Sequence, residues 1–170
     1  RLVTRAIEAL GITQGSTHAE VMVGAQGITL VEVAARGGGF RIFDEIIPLV
    51  SGVNAVRETV RMAMGETPDL RPKVHRAAIL RFFTPERFGR LVMTHGVEAA
   101  RRLEGIVDVV IEVEPGQDVV PITRDGERPG YLIATGETRA AAVACADQAA
   151  QMVQFEIAGV GGRLQPDRVG

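Results

Sequence analysis

The chain has 170 residues, and its 19 Lys and Arg against 21 Asp and Glu give a net charge of −2. A nearly neutral chain lacks the positive field that attracts a nucleic-acid backbone, and only 4% aromatic residues argues against a platform for stacking bases. One cysteine excludes an internal disulfide, and no apolar run approaches the roughly 20 residues of a membrane helix. We therefore expect a globular cytoplasmic protein without a nucleic-acid or membrane partner.

The first half of the chain predicts a β-hairpin preceded by one helix and followed by two. The predicted helices cover 2–10, 43–50 and 54–64, and the predicted strands cover 17–23 and 28–34. Asn54 is a typical N-cap, and Gly11 and Gly65 are typical helix terminators. Residues 67–73 contain two prolines and several charges and are predicted to be a linker.

The second half predicts short strands mixed with helices. The predicted strands cover 77–83, 89–94, 107–113 and 131–134, and the predicted helices cover 97–103 and 138–155. The tail from Gly159 is rich in Gly, Pro and charge and is predicted to fray. Because strands and helices do not alternate strictly, the pattern favours an α+β fold.

The register of the hairpin decides which side chains share a face. A two-residue loop would place Glu20 and Glu32 on opposite faces, whereas the three-residue loop 25–27 places them directly opposite each other. We predict the three-residue loop because it also gathers small and apolar residues on the other face, as a core face. That predicted core face is Ala19, Val21, Val23, Thr29, Val31, Val33 and Ala35. The same register pairs His18 with Ala34 and Met22 with Leu30.

Two carboxylates opposed across strands repel each other, so something should compensate. A Mg²⁺ ion would do so, because it takes few carboxylates and completes its shell with water and phosphate oxygens. Arg36 is suited to a phosphate or acyl-phosphate oxygen, and the glycines 37–39 would let backbone N–H groups approach an anion. The alternative is that both glutamates are simply solvated on an outer face and bind nothing.

Three segments, in this order, resemble the C-terminal half of an ATP-grasp domain. They are 15–21 (GSTHAEV), 31–39 (VEVAARGGG) and 48–66, which begins PLVSGVN and ends AMGE. Residues 75–157 resemble the small C-terminal domain that follows the grasp in carboxylate–amine ligases and biotin carboxylase. The resemblance implies a C-terminal ATP-grasp lobe over residues 1–70, with an antiparallel sheet and helices, then a small α+β domain over 71–160 and a tail over 161–170.

The resemblance also implies roles for five residues. Glu20 and Glu32 would be the magnesium ligands beside the ATP phosphates, and Arg36 would hold the transferring phosphoryl group or the acyl phosphate. Gly37 and Gly38 would contact the nucleotide. Where the family usually has an Asn two residues after the second Glu, this chain has Ala34, whose side chain cannot ligate a metal ion. This replacement resembles the L-amino acid ligase branch.

The function implied by the resemblance is ATP-dependent ligation of a carboxylate to an amine through an acyl phosphate, with ATP and Mg²⁺ or Mn²⁺ bound on the 17–39 hairpin and loop. The substrates would be small molecules, and we expect a homo-oligomer. The family's glycine-rich phosphate loop and its paired lysine are not found here, where Lys73 is the sole lysine. The resemblance therefore implies a C-terminal fragment, completed by the N-terminal part of the same protein.

The alternative function is a non-catalytic binding or dimerisation module derived from the same half of an ATP-grasp protein. The helix at 1–10 and the Ala-rich helix at 138–155 would then be its interfaces.

Overall fold

A computed structural model describes residues 1–158, which form two compact units divided between His75 and Arg76. The predicted tail at 161–170, and the fraying predicted from Gly159, lie outside the described residues. No helix formed by residues 1–158 is long and apolar enough to cross a bilayer.

The first unit contains a two-stranded antiparallel sheet and a set of short helices. In chain order these are α1 (Leu2–Ala9), β1 (His18–Gly24), β2 (Gly27–Ala34), a π-helical turn (Ile42–Ile46), α2 (Ile47–Ser51) and α3 (Ala55–Ala63). The helix predicted at 43–50 is thus a π-helical turn that continues into a short α-helix. The predicted cap of α3 is confirmed, because Asn54 Oδ1 accepts a hydrogen bond from the Arg57 backbone N–H at 2.9 Å.

The predicted linker at 67–73 has no helix or strand, but it is bound to the first unit. Its end is held by the Lys73 backbone N–H, which donates to the Ser51 carbonyl at 2.7 Å. Its middle is held by the Asp69 backbone N–H, which donates at 2.8 Å to Glu58, a carboxylate only 1% exposed. This N–H, together with Arg57 and Arg61, lowers the pKa of Glu58 despite its burial.

Very little of the first unit is buried. Val53 and Glu58 are its two buried residues. The predicted core face of the hairpin is exposed instead, with Val23 78% and Val31 58% exposed. A two-stranded sheet has no second layer of its own to cover either face.

The second unit contains two three-stranded antiparallel sheets and two helices. The strand orders are β3–β7–β5 and β6–β4–β8. The strands are β3 (Ala77–Phe82), β4 (Gly89–His95), β5 (Ile106–Ile111), β6 (Asp118–Val119), β7 (Gly130–Gly136) and β8 (Gln154–Ala158). The helices are α4 (Val97–Arg101) and α5 (Arg139–Met152).

The helix predicted at 138–155 is too long at its C-terminal end. It stops at Met152, and the following residues form β8, which pairs with β4. Phe155 lies on that strand and meets Phe83 edge to face, with ring centroids 5.7 Å apart. Strand pairing and aromatic packing across the unit therefore override a local preference for helix.

The core of the second unit lies between α5 and the central strand β7. Ala142, Ala146 and Ala149 are buried on one side of α5, and Leu132 and Ala134 are buried on β7. Small side chains on the helix let it approach the sheet closely, which explains its alanine content. The predicted α+β fold is confirmed.

Candidate functional site

The hairpin brings the two predicted metal ligands opposite each other, although not by the predicted loop. Glu20 pairs with Glu32 and His18 with Ala34, which confirms that part of the register. At the turn, however, Gly24 pairs with Gly27, so the loop is the two residues 25–26 and the three-residue prediction is wrong.

A β-bulge reconciles the short loop with the facing glutamates. Val21 pairs with Leu30 and Glu20 with Glu32, so Val31 is an extra residue on β2. One extra residue shifts the pairing by one and restores Glu32 to the face of Glu20. Near the turn the predicted faces are therefore wrong: Met22 pairs with Thr29, and Leu30 lies on the face of Val21.

Both glutamates keep carboxylate oxygens available to a ligand. The side chains of Glu20 and Glu32 are 55% and 49% exposed. Glu20 has His18 beside it, with 3.3 Å between Nε2 and Oε1, and Glu32 has Arg36 beside it, with 3.7 Å between Oε1 and Nη2. Each contact involves one oxygen of its carboxylate, so the two contacts do not occupy all four carboxylate oxygens.

Arg36 lies just beyond the end of β2, on the same side of the hairpin as Glu32. Its Nη1 donates to the Gly37 carbonyl at 2.9 Å, which fixes the guanidinium against the loop. The side chain is 59% exposed, so the guanidinium is accessible from solvent. A planar guanidinium beside a carboxylate can bind a phosphoryl oxygen.

The loop glycines at 37 and 38 are explained by close packing. A Cβ on Gly37 would fall 2.4–2.7 Å from ring atoms of Phe43, and one on Gly38 would fall 2.9 Å from His18 Nδ1. A Cβ on Gly39 would meet nothing within 4 Å. The loop therefore lies against the hairpin at His18 and against the π-helical turn at Phe43. The five predicted site residues fall on the hairpin and on this adjoining loop.

The contributions of His18 and of the π-helical turn to this site were not predicted from the sequence. His18 contacts both Glu20 and the loop at Gly38, so it links the two halves of the site. Phe40 and Arg41 precede the turn with left-handed φ values of 46° and 60°, a conformation uncommon outside glycine. The neighbouring triple glycine was the one available signal for an unusual backbone, but it does not specify a π-helix.

The carboxylates of Glu20 and Glu32 suit a hard divalent cation that keeps some of its water ligands. Among residues 1–158, no group of three or more His, Cys, Asp and Glu is placed to enclose a metal ion. Glu20 and Glu32 supply carboxylate oxygens alone, which suits Mg²⁺ or Mn²⁺ bound together with water and phosphate oxygens.

Comparison with known proteins agrees with this architecture. Residues 81–158 match the family model described as L-amino acid ligase C-terminal domain 2. The chain is 29% identical over 159 residues to the uncharacterized protein y4rH of Sinorhizobium fredii, a match that covers 92% of this chain and 32% of that protein.

Two solved structures superpose on 92% of the chain with a TM-score of 0.78 each. The L-amino acid ligase of Bacillus licheniformis is 21% identical and is covered to 39%. The phosphoribosylglycinamide synthetase of Anaerococcus prevotii is 18% identical and is covered to 40%. These matches confirm the predicted resemblance: the chain has the fold of the C-terminal part of an ATP-grasp ligase.

The chain spans only part of each of these proteins. It corresponds to about a third of the Sinorhizobium fredii protein and to about two fifths of the two solved structures. An activity that belongs to a whole ligase is therefore a proposal for this chain.

Proposed function

We propose that this chain supplies the metal- and phosphate-binding half of the active site of an ATP-dependent carboxylate–amine ligase. The observation that carries the proposal is the cross-strand pair of Glu20 and Glu32, held on one face by the Val31 bulge. Arg36 contacts Glu32 only at 3.7 Å, so a divalent cation would compensate the opposed carboxylates more fully. The bulge preserves this opposition, whereas a plain two-residue hairpin would remove it.

In this proposal Glu20 and Glu32 would hold Mg²⁺ or Mn²⁺ beside the ATP phosphates. The metal, when bound, neutralises negative charge on the phosphate oxygens during transfer. Ala34 offers no metal ligand, so the number of ions depends on ligands outside this pair.

Arg36 would stabilise the transferring phosphoryl group and then the acyl phosphate. The substrate carboxylate attacks the γ-phosphorus of ATP and releases ADP. The amine then attacks the acyl carbon and releases phosphate, which leaves an amide or peptide bond. A preorganised cation stabilises the anionic oxygens in both steps, and the hydrogen bond from Arg36 to the Gly37 carbonyl provides that preorganisation.

The glycine loop would place backbone N–H groups near the nucleotide, with Gly37 and Gly38 packed against the hairpin and the π-helical turn. The remaining contacts to ATP and both substrate pockets would come from an N-terminal part of the same protein. ATP and free small-molecule substrates meet in the cytoplasm, where we place the reaction.

The test is release of ADP by the full-length protein that contains this chain, with Mg²⁺, ATP and a panel of amino acid pairs. We expect turnover only when a suitable pair is present. Glu32→Gln should abolish it, because the amide cannot supply the lost negative charge. Arg36→Ala should lower kcat far more than it raises the KM for ATP.

Glu8→Gln is the matched control, since Glu8 is exposed on α1 and its change should leave turnover intact. Turnover that survives in Glu32→Gln would contradict the metal-binding role. No turnover with any pair, together with unchanged nucleotide binding in Glu32→Gln, would favour a non-catalytic binding module.

A further inference from the structure

We propose that the second unit binds a free α-amino acid with a large apolar side chain, in the cleft lined by residues 84–87. The cleft lies between this loop, the C-terminal end of α5 and β8. Its volume is about 800 Å³, within the range of pockets that hold small molecules. It shares no residue with the hairpin and glycine loop, so this site is additional to the one described above.

The floor of the cleft is apolar and fixed by the core. Phe83 and Val153 line it and are only 4% and 8% exposed, and both belong to the central hydrophobic cluster of the unit. Phe155 lines it as well and packs edge to face on Phe83 at an interplanar angle of 63°. Because core packing already holds these side chains in place, binding an apolar ligand side chain costs little conformational entropy.

The loop adds one negative and one positive side chain beside this floor. Glu86 and Arg87 both line the cleft and are both exposed. Within residues 1–158, neither side chain makes a hydrogen bond or an ion pair. Arg81, which also lines the cleft, is paired with Asp147, so among the described residues Arg87 is the lining cation available to a ligand.

Two opposite charges next to an apolar floor define the class of ligand. Glu86 and Arg87 are consecutive residues that line the same cleft, so one small molecule bound there can meet both charges. The guanidinium of Arg87 suits a carboxylate, and Glu86 suits an ammonium group. A simple carboxylate would leave Glu86 unpaired and a simple amine would leave Arg87 unpaired, whereas an apolar α-amino acid satisfies both charges and the floor.

The test is calorimetric titration of the protein, without ATP, using L-phenylalanine as the probe. We expect saturable binding that Arg87→Gln or Glu86→Gln weakens about tenfold, the typical effect of losing a hydrogen bond between charged groups. The analogues 3-phenylpropionate and 2-phenylethylamine, which each lack one charge, should bind more weakly than L-phenylalanine by a similar factor. Backbone amide shifts of Val153 and Phe155 should move on titration.

Arg139→Gln is the matched control, because Arg139 is exposed at the start of α5 and does not line the cleft. Its binding should equal that of the unchanged protein. The proposal is overturned by absence of saturable binding at millimolar L-phenylalanine, or by binding that neither loop variant weakens. Because ATP is omitted, a failure of the ligase proposal would leave this result unaffected.

Discussion

At the scale of single residues, there are two reasons for glycine in the loop at 37–39: access of an anion to the backbone and close packing of neighbouring side chains. A run of three glycines predicts a backbone open to an anion, and the structure shows that two of them are also required by neighbouring side chains. Gly37 faces the ring of Phe43 and Gly38 faces His18, while Gly39 has open space. These close approaches hold the loop against Phe43 and His18.

Gly37→Ala should therefore destabilise the full-length protein by about 1–3 kcal/mol, because the added methyl group overlaps the Phe43 ring and forces it to move. Gly39→Ala is the matched control and should leave stability unchanged or slightly improved, since its Cβ meets nothing within 4 Å. Thermal unfolding of both variants measures the difference. Equal melting temperatures would show that Phe43 does not constrain this glycine.

At the scale of elements, the hairpin shows what can and cannot be predicted from sequence. The β-branched runs and their alternation predict two antiparallel strands, and the facing of Glu20 and Glu32 follows from requiring that apolar residues share a face. The bulge at Val31 could not be predicted, because a valine there looks like any other strand residue. A correct pairing was therefore reached through an incorrect loop length.

The C-terminal helix shows a second limit of local sequence. An Ala-rich segment predicts a helix, and α5 forms over 139–152. Its end is decided by a partner distant in sequence, because β4 pairs with residues 154–158. Local propensity does not contain that contact, so the predicted helix runs three residues too far.

Packing of α5 gives a prediction at this scale. Ala146→Leu should destabilise the second unit by about 1–3 kcal/mol, because Ala146 is fully buried and a larger side chain would push the helix off the sheet. Ala144→Leu, two residues away on the exposed side of the same helix, should have little effect. Chemical denaturation of the two variants provides the comparison. Equal destabilisation by both would contradict the assigned buried face.

At the scale of the whole molecule, the two units differ in how completely they bury their own residues. The second unit has a continuous core, whereas the first has one buried apolar residue, Val53, in 75 residues. Several large apolar side chains of the first unit are exposed, among them Leu10, Met22, Val23, Val60 and Met64. This imbalance fits the proposal that the first unit is one part of a larger nucleotide-binding domain.

Hydrogen exchange should report this difference directly. In the 170-residue chain alone, amides of β7 and α5 should exchange at least about tenfold more slowly than those of β1 and β2, because protection follows local stability. In the full-length protein the hairpin amides should become protected as well. Hairpin protection that is equally strong in the isolated chain would contradict the idea that the first unit needs another part to cover it.

Binding of Mn²⁺ with ATP to the full-length protein tests most directly whether Glu20 and Glu32 form a metal site for ATP. Electron paramagnetic resonance measures the free Mn²⁺ as protein is added. The account predicts tight ATP-dependent binding that Glu20→Gln and Glu32→Gln each weaken at least about tenfold, the scale of one lost charged ligand, while Glu8→Gln leaves it unchanged. Equal Mn²⁺ affinity in all three variants would contradict the account and leave the two glutamates as solvated residues of an outer face.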